Sequence, residues 1–195
     1  MCIVLTERKK QILQSAQAIL KKKGYAATSV RDIAKSIEME PASLYSHFSS
    51  KEDILRLTCF DMAQKFDHSI QEINTLYFDA EQQLRMAIQE HVQILTSHLD
   101  SAIIFLRDWR NLTGESFSEF VEKRNLYEKG IRKIIQTGID EGRFNESDIK
   151  FATLTVLSSV NWIVEWYNPE GKLNPTQIAE KLSNFILSGL IKNKL

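Results

Sequence analysis

Apolar residues along the chain fall at helical spacing, and no regular series of short alternating segments interrupts them, so the pattern is one of helices. Ile12, Leu13, Ala16, Ile19 and Leu20 predict a first helix over residues 6–23, with Thr6 as candidate cap and Gly24 as its stop. Val30, Ile33, Ala34 and Ile37 predict a short second helix capped by Thr28 or Ser29, with Ser29 and Asp32 spaced as a capping box. Pro41 suits the first position of a short third helix, where its missing N–H costs nothing, and Leu44 and Phe48 are its buried anchors. A long fourth helix is expected from Lys51 toward Asn74, capped by Ser49 or Ser50, with Glu52 and Asp53 at its positive end. Further helices are expected near 79–98, 101–110, 116–141, 147–167 and 175–192. With three prolines and seven glycines in 195 residues, the fold class is all-α with about nine helices.

Two of these helices carry apolar surface beyond what one core needs. On the last, Ile178, Leu182, Phe185, Ile186, Gly189 and Leu190 share one stripe. The one before it is apolar around most of its circumference, through Phe151, Leu154, Val156, Leu157, Val160, Trp162, Ile163, Val164 and Trp166. Burial on two sides is expected, one side in the protomer core and the other at a subunit interface.

Composition adds a folded interior, at 43% hydrophobic residues, and a formal charge of zero that conceals a split. Residues 1–52 hold nine Lys and Arg against five acids, an excess of four that the rest of the chain offsets. A basic head on an acidic body suits a head that approaches phosphates. Lys21, Lys22 and Lys23 fit that attraction, or simply steady the negative end of the first helix. Two cysteines, Cys2 and Cys59, are too few for a disulfide or zinc scaffold, which points to a reducing cytoplasm. Ile3, Val4 and Leu5 run at once into charged residues, so no signal-peptide core is expected. The stretch Phe151 to Tyr167 carries too many polar residues for a membrane span, and no membrane association is expected.

Residues 28–55 read TSVRDIAKSIEMEPASLYSHFSSKEDIL. This stretch resembles the DNA-binding domain of the TetR/AcrR family of transcriptional regulators, whose pattern runs TS-x-x-x-IA, a turn, then LY-x-HF-x-SKE-x-L. Ile12-Leu13, Ala16 and Gly24-Tyr25 also fall where that family places its first helix and connection. The resemblance implies a helix-turn-helix head over 1–52 and a helical effector-binding and dimerisation domain over 53–195. A recognition helix enters the major groove only when another helix braces it, and Leu44 and Phe48 supply the brace contacts. Pro41, Ala42, Ser43 and Ser46 are small enough to approach base edges. Tyr45, His47 and Lys51 suit phosphate oxygens, the role the resemblance implies for them, and Thr28 and Arg31 are further phosphate candidates. Outside such a pattern, Tyr45 would read as a buried aromatic and His47 as a surface cap partner.

Two positions depart from the family pattern. Glu38 stands where a glycine usually turns the chain, and a left-handed residue there costs about 1 kcal/mol relative to glycine. Glu40 stands where serine commonly caps the recognition helix, and it sets negative charge near DNA.

Beyond Leu55 the resemblance loosens, although Asn161 to Leu190 resembles a subset of these regulators, some of which respond to acyl-coenzyme A thioesters. The family resemblance implies a homodimer, double-stranded DNA and a small-molecule effector as partners, and the Asn161 to Leu190 stretch makes an acyl-coenzyme A thioester the leading candidate. Phe66, Phe105, Trp109, Phe117, Phe120, Tyr127, Trp162 and Trp166 are candidates to line an apolar cavity, with Arg107, Arg110 and Arg124 near its mouth. Ordinary core packing is the simpler role for such aromatics.

An enzyme would need a convergent reactive set, and the chain has no GxSxG, P-loop, GxGxxG or HExxH. No cofactor is expected. His91 and His98 lack a third ligand at metal spacing, so pocket lining or polar surface fits them better than zinc. The competing class is a helical interaction protein acting through another protein; salt-dependent binding to a palindromic duplex separates the two.

Overall fold

The computed structural model describes residues 6–192; Cys2 and the Ile3-Val4-Leu5 run lie outside them. Ten α-helices and one 3₁₀ turn follow one another: α1 Glu7–Lys23, α2 Val30–Ser36, α3 Pro41–Tyr45, α4 Lys51–Thr75, α5 Ala80–Ser97, α6 Leu99–Arg107, the 3₁₀ turn Trp109–Asn111, α7 Gly114–Asp140, α8 Ile149–Asn161, α9 Ile163–Trp166 and α10 Pro175–Leu190. Among the described residues, the extended pairing is a single isolated bridge between Phe144 and Ile191.

Local chemistry explains the ends. Thr6 caps α1 by accepting from the Lys9 N–H, and Gly24 stops it at φ 83°. Ser29 and Asp32 form the full capping box at α2. Asp79 with Gln82 and Asn174 with Gln177 form two more, at α5 and α10. The Ser50 hydroxyl accepts from the Asp53 N–H at the start of α4.

The 147–167 stretch is not one helix. A one-residue turn at Trp162 separates α8 from α9, where the Glu165 N–H donates to the Trp162 carbonyl in a tighter i→i+3 bond. Read as one bent helix, α8 and α9 bring the count to the expected nine. Thr153, Thr155 and Ser159 each donate a hydroxyl to the carbonyl four residues earlier, which satisfies polar groups inside an apolar helix and favours bending.

The chain divides into two compact units, residues 1–62 with 100–120 and residues 63–99 with 121–195. In the first, Ile12, Ala16, Leu20, Ile33, Ala34, Leu44, Phe48 and Leu55 are buried, so α1, α2 and α3 pack around one small core. In the second, α5 lies along α10 and touches α8 and α9, with Leu84, Ile88, Val92, Val160, Ile163 and Leu187 inside. Two glycines permit close approach there: a Cβ at Gly130 would overlap Ile70, and one at Gly138 would overlap the ring of Phe144.

Candidate functional site

α3 is five residues long, with Leu44 as its buried residue. Pro41 starts it, Glu40 precedes it without making a side-chain cap bond, and Leu44 and Phe48 are buried beneath it. Ala42, Ser43, Tyr45 and Ser46 are exposed, with Pro41 and His47 half-exposed. Tyr45 is 53% exposed, which places the phenol outside and removes the buried-aromatic alternative. Ser46 donates its hydroxyl to the Ser43 carbonyl at 2.7 Å. Arg31, exposed on α2, makes no side-chain hydrogen bond among the described residues, and neither do Tyr45 and His47. Arg31 and Tyr45 thus stand exposed, and His47 half-exposed, beside the small residues Ala42, Ser43 and Ser46.

Glu38 takes φ 53°, so the turn between α2 and α3 is the left-handed one, made without glycine. The Met39 N–H reaches back to the Ala34 carbonyl at 2.9 Å to close it.

Thr28 and Lys51 are engaged within the protein. Thr28 is buried and donates its hydroxyl to the Gly24 carbonyl at 2.7 Å. The Lys51 ammonium donates to the carbonyls of Tyr25 and Thr28, at 2.7 and 2.8 Å, and lies 4.0 Å from the Tyr25 ring centroid. Two of its three N–H groups are thus used on the α1–α2 connection. Burial, helped by the Glu52 carboxylate, raises the Tyr25 phenol above its ordinary value. Hydrogen bonds from Lys23 and then Ser29 hold the Asp32 carboxyl well below the usual carboxylate range.

The aromatic and arginine candidates for a ligand site separate into three groups. Phe66 and Tyr127 come together in the second unit, ring centroids 5.2 Å apart. His91 completes a triangle with them, 4.5 Å from Phe66 and 5.5 Å from Tyr127, with one ring nitrogen 2.8 Å from the Tyr127 hydroxyl and the other 3.0 Å from the Asn161 side-chain oxygen. Burial pushes His91 down to about 4 against a weaker upward pull from Asn161, and pushes the Tyr127 phenol up. Trp162 and Trp166 form an edge-on pair on the exterior, Trp162 being 65% exposed.

Phe105, Trp109, Phe117 and Phe120 form the third group, in the first unit. Arg110 stacks over Trp109 at 4.5 Å. Arg107 donates to the carbonyls of Leu20 and Lys21 and to the buried Asp108 carboxylate. His91 is the residue that sequence reasoning placed too loosely. Its position on the α5 stripe with Leu84, Ile88 and Leu95 was the available signal for a buried, partnered imidazole.

Residues 12–57 match the family described as bacterial regulatory proteins of the tetR family, and residues 78–190 match the tetracyclin repressor-like C-terminal domain. The chain is 25% identical over 189 residues to the HTH-type transcriptional repressor KstR2 of Mycolicibacterium smegmatis, covering 96% of this chain and 92% of that one. The structure of the ketosteroid transcriptional regulator KstR2 of Mycobacterium tuberculosis superimposes with a TM-score of 0.92 at 23% identity, covering 97% and 98% of the two chains. AibR in complex with isovaleryl coenzyme A and operator DNA superimposes with a TM-score of 0.82 at 24% identity, covering 92% and 97%.

Proposed function

The chain belongs to the TetR family of bacterial regulatory proteins, and from that premise we propose that it is a repressor binding an inverted-repeat operator as a homodimer, released by an acyl-coenzyme A thioester. The head is residues 1–52 and the effector-binding and dimerisation part residues 53–195. The observation that carries the DNA reading is the surface of α3: Pro41, Ala42, Ser43 and Ser46 toward base edges, flanked by Tyr45, His47 and Arg31 for phosphates, over a buried Leu44 and Phe48. Lys51 and Thr28 hold the α1–α2 connection through their own hydrogen bonds.

Dimerisation rests on unpartnered apolar residues in the second unit, with Phe151 72% and Phe185 80% exposed on α8 and α10. A two-fold pair of heads reads half-sites about one helical turn apart, which makes the operator an inverted repeat. Such a protein works in the cytoplasm, beside the DNA it reads.

The thioester reading draws on AibR, whose structure holds isovaleryl coenzyme A, and on the resemblance of Asn161 to Leu190 to thioester-responsive regulators. Phe66, His91 and Tyr127 form a buried aromatic cluster in the second unit that an effector would have to approach. Calorimetric titration with long-chain acyl-coenzyme A, the free fatty acid and coenzyme A alone, each repeated in the presence of operator, tests the effector class. Heat and loss of DNA with the thioester are expected. Heat with none of the three removes this class.

A further inference from the structure

The segment Asp100–Phe120 lies far along the chain from the helix-turn-helix, yet it forms one compact unit with the head. Besides an ion pair of Glu119 with Arg56 at 4.0 Å, its polar contacts with the head fall at two places. Near the end of α1, Arg107 donates from Nη2 to the Leu20 carbonyl at 2.7 Å and from Nη1 to the Lys21 carbonyl at 3.2 Å, while Asp100 pairs with Lys21 at 2.7 Å. At the beginning of α4, the Thr113 N–H and hydroxyl both donate to the Glu52 carboxylate, at 2.7 and 2.9 Å.

These two places bound the recognition pair. The α2-turn-α3 stretch, residues 24–50, is suspended between the last turn of α1 and the first turn of α4. Lys51 ties the first turn of α4 to the α1–α2 connection through the Tyr25 and Thr28 carbonyls. The Leu20 carbonyl already accepts from the Gly24 N–H at 2.8 Å, and the last turn of a helix carries the negative end of its dipole, so the guanidinium is there a second hydrogen-bond partner and a matched charge. Asp108, only 6% exposed, accepts from Nε at 3.2 Å and from Nη2 at 2.9 Å, which fixes the guanidinium plane and its aim. The aromatic contacts Phe60–Phe120 and Phe105–Phe120 supply the apolar backing of the same segment.

We propose that Arg107 and Thr113 are positioning residues for DNA recognition, setting from outside the helix-turn-helix the two chain ends that hold α3 in register with the groove. Neither residue reads a base or binds a phosphate; each acts through Leu20, Lys21 or Glu52. Loss of either tie leaves phosphate contacts able to form on any duplex, because those contacts tolerate small displacements, but it degrades base-edge contacts that need α3 in one place. The inference rests on the DNA-binding reading, and its test separates the two.

Operator obtained by selection from a random duplex pool, and a scrambled duplex of equal length, are titrated with the full-length protein across a series of KCl concentrations. For Arg107→Met, operator affinity is expected to fall about tenfold, and for Thr113→Val, which loses the hydroxyl bond and keeps the backbone N–H on Glu52, about threefold. Affinity for the scrambled duplex is expected to stay within about twofold, with an unchanged salt slope. Thr113→Ser, which keeps the hydroxyl, should behave as the parent protein. Thr113 is exposed, so its variants carry the test if Arg107→Met fails to fold. Unchanged operator affinity in Thr113→Val overturns the proposal. So does a parallel loss on both duplexes, with a shallower slope that reveals a direct phosphate contact or in step with a lowered melting temperature. Parent protein that does not distinguish the duplexes overturns the DNA-binding reading instead.

Discussion

Glu38 sits in the left-handed region, at φ 53°, in the turn that sets α3 against α2. Glu38→Gly is expected to stabilise the protein by about 0.5–1 kcal/mol in a urea melt, because glycine adopts that backbone without a Cβ penalty. A less stable variant would show that the side chain contributes more than the strain costs. The need for this turn was legible in the sequence, since the surrounding pattern asks for glycine where glutamate stands.

The role of His91 was not legible, because its partners lie 36 and 70 residues away and only the fold brings them to it. Its pKa is pushed down to about 4 from the ordinary 6.5, mainly by burial. The unfolded chain therefore takes up a proton near pH 6.5 that the folded protein refuses until about pH 4. Stability contributed by the neutral imidazole is complete above that window and is lost as pH falls through it, by up to about 3 kcal/mol. Melts of the parent and His91→Gln between pH 4 and 7 check this; equal pH dependence of the two would contradict it. Tyr45→Ala is expected to weaken binding alike on all duplexes, whereas changes at Pro41 or Ser43 should alter the preferred site. A Tyr45→Ala variant that chose a new sequence at undiminished general affinity would reverse those roles.

Among elements, periodicity and capping chemistry located the helices, because both are short-range: the Ser29–Asp32 box and Pro41 at the start of α3 stand where their spacing placed them. The break at Trp162 has no proline or glycine to announce it, and the ties of Arg107 to Leu20 and Lys21 depend on tertiary placement. The α10 stripe shows what periodicity leaves open. Ile178, Ile186 and Leu190 face the protomer interior, whereas Phe185 faces out. Phe185→Glu is therefore expected to yield a folded monomer in sedimentation at micromolar concentration, and Ile186→Glu a destabilised chain. Dimers persisting in Phe185→Glu and Phe151→Glu alike would place the interface elsewhere. Where Gly130 of α7 meets Ile70 of α4, Gly130→Ala is expected to cost about 1–3 kcal/mol through overlap with the Ile70 Cγ1 and Cγ2 carbons, partly recovered by Ile70→Ala, which removes both. A neutral Gly130→Ala would mean that the contact relaxes.

For the whole molecule, zero net charge gives no hint of a nucleic-acid partner, and only its uneven distribution does. Effector release requires the ligand to favour the DNA-free state, typically by about 1–3 kcal/mol, and linkage then requires operator DNA to weaken ligand binding by the same factor. The central claim is that the head reads DNA as one of a two-fold pair, and selection of bound duplexes from a random pool tests it most directly. The expected result is enrichment of an inverted repeat with half-sites about ten base pairs apart, whose affinity falls steeply with salt. A pool that stays random through successive rounds, or duplexes retained independently of salt, would contradict it.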